Sequence, residues 1–176
     1  MDVLEAINVR RSIRSYRGDP IPEAKVLQVL EAATKAPSAG NVQPFKIVLV
    51  QEAAGRSELA KAAWDQNFVA EAPVVIVFLV DLNEASGRYG SRGRELYSLL
   101  DVGAAIENLI LAAKDNGLGT CWVGAFKEEE VARALNLPSN LRPVSIVSLG
   151  YASKQPKERV KKPLDQLLVR ERFKET

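Results

Sequence analysis

Three short segments of the chain carry side chains whose types and spacing could hold or transform a small molecule. The first, Arg10-Arg11-Ser12-Ile13-Arg14, packs three guanidiniums and a hydroxyl into five residues. Guanidiniums are planar, bidentate donors whose matching acceptor is a carboxylate or a phosphate. Taken alone, the same run also makes a solvated basic turn. The second, Ala36-Pro37-Ser38-Ala39-Gly40-Asn41-Val42-Gln43-Pro44, sets small residues, a hydroxyl and two amides between two prolines. Asn and Gln each donate and accept, which suits a heterocycle presenting both kinds of group, although an ordinary helix-to-strand loop has the same composition. The third, Gly117-Leu118-Gly119-Thr120-Cys121-Trp122-Val123-Gly124, is not a dinucleotide fingerprint. In G-x-G-x-x-G counted from Gly117, the third glycine position holds the indole of Trp122. Its glycines could let a flat ring approach the backbone of a strand, while Trp122 by itself reads more simply as core.

What is missing narrows the chemistry. Histidine is absent, which removes the commonest general base and the commonest metal ligand. A Ser-His-Asp or Cys-His mechanism is therefore excluded, and no metal site is expected. No segment reads G-x-x-x-x-G-K-[ST], the signature of a nucleotide P-loop. The single cysteine, Cys121, has no intrachain disulfide partner, and Met1 is followed by Asp2 and Glu5 instead of an apolar leader. The expected location is the cytoplasm. No apolar run approaches the roughly 20 residues of a membrane-spanning helix. With 24 Lys and Arg against 22 Asp and Glu, the net charge is only +2, too balanced for a surface given over to nucleic acid. The basic residues are uneven, gathered in 10–17 and again in 154–162, a distribution that suits one small anion better than a polymer.

These segments have to be positioned by elements that the periodicity marks out. A short helix is predicted over Asp2–Val9, and a second after Pro22, with its stripe of Val26, Leu27, Leu30 and Ala33 ending before Pro37. Strands are expected at Phe45–Val50, at Val74–Val80 behind Pro73, near Gly119–Val123 and at Val144–Leu149. Further helices are expected at Arg56–Asp65 and Glu128–Asn136. Gly87–Gly93 (GRYGSRG), glycine-rich and charged, reads as a mobile loop. The helix predicted from Glu95 to Asn116 has Leu96, Leu99, Leu100, Gly103, Ala104, Ile106, Leu109, Ile110 and Ala113 on more than one stripe. That pattern marks a helix buried in a core or between subunits. Residues 151–176 are charged, with only Leu164, Leu167, Leu168 and Val169 to bury, so this tail must dock on something or stay disordered. No linker or repeat divides the chain, and the expectation is one domain over 1–176 with 151–176 as its tail. Alternation of strand and helix would by itself give a parallel, doubly wound sheet.

In this order and spacing the segments resemble the nitroreductase family of flavoproteins. The resemblance is carried by RRSIR (10–14), APSAGNVQPFKIVLV (36–50), the strand led by Ala72-Pro73 with Gln66 ahead of it, LLDVGAAIENLILAAKDNGLGTCWVG (99–124), Leu149-Gly150-Tyr151 and the closing Lys162-Pro163-Leu164. The DVGAAIENLILAA…GLGTCWVG stretch is the most specific part. The resemblance implies an α+β, three-layer α/β/α fold with a mixed, mostly antiparallel sheet, in place of the parallel one. It also implies a homodimer, FMN at the subunit interface, and a C-terminal segment extended onto the partner subunit.

Residue by residue, the resemblance places Arg10, Ser12 and Arg14 on the FMN phosphate and ribityl chain, with Arg11 alongside. Arg159 and Lys161 would return to the phosphate from the tail. Pro37, Ser38, Ala39 and Asn41 would come from the partner subunit to the isoalloxazine. Gln66 or Asn67 would reach its pyrimidine edge, and Trp122, Val123 and Gly124 would lie against the ring near N5. Two basic clusters converging on a phosphate of nearly two negative charges make physical sense. The implied reaction takes a hydride from NADH or NADPH through flavin N5 to a small-molecule acceptor such as a nitroaromatic or quinone, in ping-pong order. No side chain is named as catalytic, because the flavin carries the chemistry. The chain is short for this family, and the segments that build a lid in longer members are reduced to Ala85–Arg94. Other classes remain as alternatives: a non-catalytic FMN-binding carrier or redox sensor, and a basic nucleic-acid binder. Against the latter stand 6% aromatic residues and near-neutral charge.

Overall fold

Val74-Val75-Ile76-Val77-Phe78-Leu79-Val80 is apolar at every position, so a strand formed from it needs cover on both faces. The computed structural model describes residues 1–173; the last three residues of the expected tail, 174–176, lie outside the described residues. In chain order the elements are α1 (Val3–Val9), α2 (Glu23–Thr34), β1 (Phe45–Val50), α3 (Ala53–Ala62), α4 (Phe68–Glu71), β2 (Val74–Asp81) and α5 (Leu82–Arg92). A π-helical turn (Gly93–Tyr97) then leads into α6 (Ser98–Asp115), β3 (Gly119–Val123), α7 (Glu128–Ala134) and β4 (Leu141–Gly150). The sheet order is β1-β2-β4-β3, and every neighbouring pair is antiparallel.

β2 is buried along its whole length. Val74, Ile76, Phe78 and Val80 face a core shared with Val26 and Val29 of α2 and Val102, Ile106 and Leu109 of α6. Val75, Val77 and Leu79 face the opposite core, with Leu59 of α3, Val69 of α4 and Val131 of α7. The period-2 alternation of one strand thus divides two cores and yields three layers. The architecture is α+β, as the resemblance implied, and the parallel sheet suggested by strand-helix alternation is overturned. A strand apolar on both faces is usual in parallel sheets, but an antiparallel sheet with helices on both sides makes the same demand.

Strand bounds at β1 and β3 match the expected ones. β4 begins at Leu141, three residues before the expected start at Val144. The added stretch includes Pro143, which pairs with Leu79 at a register shift where β3 no longer reaches β4. A proline is tolerated at such a bulge, where its missing N–H leaves no ladder bond unmade. The expected mobile loop Gly87–Gly93 is corrected to helix: it falls in α5 and the turn behind it. Asp81 caps that helix, accepting the N–H groups of Asn83 and Glu84 at 3.0 and 3.3 Å. The glycines that suggested a loop serve a break inside a helical run, with Gly90 at φ 56°, ψ −139°. Across this break, Leu82–Asp115 is long and apolar enough by composition to cross a membrane. Its Val102, Ala105, Ile106, Leu109 and Ala113 belong instead to the protein's own core.

The N-terminal arginine segment is laid along the sheet. Ser12 bridges Thr120 in parallel, and the Ile13 N–H donates to the Thr120 carbonyl at 2.8 Å. Gly119 permits this approach, since a Cβ there would stand 2.6 Å from Ile13 Cγ1.

Candidate functional site

The two basic clusters of the sequence meet. Tyr16 bridges Ala152, the Ser153 N–H donates to the Ser15 carbonyl at 3.0 Å, and the Arg17 N–H donates to the Tyr151 carbonyl at 2.9 Å. These bonds turn the start of the tail back along the N-terminal segment. A cleft of about 460 Å³ then opens between Arg10, Arg11, Ser12 and Arg14 on one wall and Pro156–Lys161 on the other. Arg10, Arg11, Arg14, Lys157, Arg159 and Lys161 line it, against the one carboxylate of Glu158. Arg11 is engaged: Nη2 lies 3.2 Å from Glu158, and Nη1 donates to the carbonyls of Asn8 and Arg10. Arg10, Arg14, Arg159 and Lys161 have no ion pair among the described residues. So concentrated a positive charge in a concave site fits a phosphate-bearing ligand.

Beyond the cleft, Arg14 reaches an aromatic ring of α4. The Arg14 guanidinium sits 5.7 Å from the centre of the Phe68 ring. Trp122 is 43% exposed, so the simpler expectation of a core tryptophan is corrected. Its strand neighbours Cys121 and Val123 point inward and are buried, which turns Trp122 outward by the alternation of the strand. The indole rests near Gly103 of α6, 3.8 Å from where a Cβ would be. Gly124 follows with open space around it. Gln66 is committed to the backbone: its Nε2 donates to the Ala63 and Ala125 carbonyls at 2.9 and 3.2 Å. That leaves its carbonyl oxygen to accept, whereas the neighbouring Asn67 is exposed and makes no side-chain hydrogen bond to its helix.

The Pro37–Asn41 turn does not line this cleft in its own chain. It is stapled to the α5–α6 layer. The Ala39 N–H donates to the Asp101 carboxylate at 2.9 Å, the Gln43 N–H to Ser38 Oγ at 3.1 Å, and Arg88 to the Gly40 carbonyl at 3.2 Å. Gly40, Asn41 and Gln43 all have left-handed φ near +50° to +56°, a costly run that persists only where surrounding contacts hold it.

Sequence reasoning missed three contributors. Asp101 sits 6% exposed on α6; burial pushes its carboxyl above the usual aspartate range, against the pull of the Ala39 N–H. Phe68 was passed over because an apolar residue carries no chemical signal. Tyr16 bonds the Ile13 carbonyl at 2.8 Å and Ser148 Oγ at 2.7 Å, and burial drives its phenol far above the ordinary value. The Cys121 thiol is likewise pushed up by burial, which keeps it protonated and unreactive.

The model of the nitroreductase family matches residues 7–73 and 64–151. The chain is 34% identical over 196 aligned positions to an NADH dehydrogenase of Thermus thermophilus, with 96% of each chain covered. It is 27% identical to an FMN reductase [NAD(P)H] of Bacillus subtilis, covering 98% of this chain and 74% of that one. The structure superimposes on the NADPH:FMN oxidoreductase of Vibrio harveyi complexed with NAD+ at a TM-score of 0.90 and 26% identity, covering 99% of this chain and 79% of that one.

Proposed function

This chain belongs to the nitroreductase family, and we propose that it is an FMN-dependent NAD(P)H oxidoreductase, working in the cytoplasm as a homodimer of one-domain subunits. The observation that carries this reading is the convergence of the arginine segment and the tail on one cleft. Its size lies within the roughly 300–1,000 Å³ of small-molecule sites. Its donors suit FMN: Arg10, Arg14, Arg159 and Lys161 for the phosphate, and Ser12 for the phosphate or the ribityl hydroxyls. The exposed indole of Trp122, the backbone of Val123 and the open backbone at Gly124 offer faces for the isoalloxazine. Asn67, in preference to Gln66, presents donor and acceptor to its pyrimidine edge.

The Pro37–Asn41 turn enters this site from the partner subunit, which explains why it is rigidly held yet lies apart from its own cleft. Bound FMN supplies the capacity to take a hydride from NADH or NADPH and pass it to an acceptor such as a nitroaromatic or quinone. The chain's own contribution is to bind, orient and shield. There is no histidine, so protons for the reduced acceptor would come from water or the flavin itself, not from an imidazole. One site serving donor and acceptor in turn gives ping-pong kinetics.

Titration of FMN fluorescence with the purified protein tests the assignment. Arg10→Ala and Arg14→Ala should each weaken FMN about ten- to a hundredfold, or about 1.5–3 kcal/mol for one charge-assisted bond. If both variants keep the wild-type affinity, the cleft does not hold the phosphate.

A further inference from the structure

At the junction of α5 and α6, four side chains form a ladder outside the basic cleft. The Arg88 guanidinium lies 5.4 Å from the Tyr89 ring centre, Tyr89 meets Tyr97 edge-to-face at 5.3 Å, and the Arg92 guanidinium lies 5.3 Å from Tyr97. The ladder is built, not incidental. Arg92 Nε donates to the Tyr97 hydroxyl at 2.9 Å. Gly90 breaks the helix with a backbone conformation suited to glycine, and a Cβ at Gly93 would collide with the Ala85 carbonyl. Arg88 and Arg92 have no ion pair among the described residues, and both are exposed. Each therefore keeps most of its five donors for a ligand.

The ladder also touches the Pro37–Asn41 turn. Arg88 donates to the Gly40 carbonyl, and a Cβ on Gly40 would stand 2.5 Å from the Tyr89 hydroxyl. We propose that Arg88, Tyr89, Arg92 and Tyr97 form the subsite for the phosphorylated adenosine end of the electron donor, and that they select NADPH over NADH. That the ligand is the enzyme's donor rests on the flavin reading above. The chemistry matches piece by piece. Tyrosine faces stack an adenine, and two guanidiniums spaced along the ladder suit the two separate phosphate groups of NADPH. NADH lacks the 2′-phosphate and forfeits one of those contacts. The ladder's place beside Gly40 sets a dinucleotide held there next to the turn that reaches the flavin of the other subunit.

Isothermal titration of the FMN-loaded protein with adenosine 2′,5′-bisphosphate, and separately with AMP, tests the subsite. The bisphosphate should bind the wild type about tenfold or more tightly than AMP, the effect of one added charge-assisted contact. Arg92→Ala, which leaves Gly40 untouched, should shrink that gap with FMN affinity unchanged, and Arg88→Ala/Arg92→Ala should abolish it. A wild type without the gap, or a double variant that retains it, overturns the proposal. If the protein takes up no FMN, the flavin reading fails separately, and the same titration without FMN still reads the ladder. Variants that lose thermal stability but keep the gap would reduce the ladder to a brace for the helix break, and would equally overturn it.

Discussion

Asp101 is the side chain on which the Pro37–Asn41 turn hangs, through the 2.9 Å bond to the Ala39 N–H. Burial raises its carboxyl in the folded state. A raised group contributes stability that is fully present below its unfolded value, about 3.9 for aspartate, and that is lost as pH rises through the folded value. Asp101→Asn should keep an acceptor for Ala39 and remove this pH dependence. Asp101→Ala leaves a partly buried N–H unpaired and should cost about 1 kcal/mol. Urea unfolding at acidic and neutral pH checks this: equal losses in both variants would mean that the bond to Ala39 does not matter. At this scale the sequence announced what was dense or unusual. The arginine run and Trp122 stood out, because few purposes require three guanidiniums in five residues or an indole between glycines. Asp101 and Phe68 did not, since a lone carboxylate within DVGAA and a lone phenylalanine look like surface and core until the fold sets them against a turn and a guanidinium.

Helix α6 shows the same division at the scale of elements. Its inner face, Val102, Ala105, Ile106, Leu109 and Ala113, is buried in the core. The apolar residues on its N-terminal side are not: Leu99 is 39% and Leu100 60% exposed. The sequence reading of a helix buried on more than one face thus holds for one face within a single chain. The proposed homodimer requires a second copy to cover the other. Leu100→Glu would place a charge in that apolar interface, and sedimentation should show it shifting dimer to monomer. An unchanged dimer would remove α6 from the interface. Neighbouring α5 was misread because glycine content is a fair loop signal in isolation. What makes the segment helical is non-local: the Asp81 cap at the end of β2 and the tyrosine pair that closes across Gly90. β1 and β3, whose limits are set by local contrasts in composition, were legible to the residue.

For the whole molecule, the surface is uneven in a way that the single chain does not explain. Leu4 and Ile7 of α1, Leu100 of α6, and Leu164 and Leu167 of the tail are all at least 49% exposed. A tail that lies across the cationic cleft and presents leucines outward has the form of a segment meeting another subunit. Sequence alone could name such a tail as needing a surface; it could not show that its first residues pair with Ser15–Arg17 and so deliver Arg159 and Lys161 to the arginines. The central claim is that this site makes a flavin reducible by a nicotinamide donor, and the most direct test is anaerobic titration of the FMN-loaded protein with NADPH, followed by the flavin's visible absorption. We expect the yellow colour to bleach stoichiometrically with added donor and to return when a quinone is added. FMN that stays bound and fully oxidised in excess NADPH and in excess NADH would contradict it.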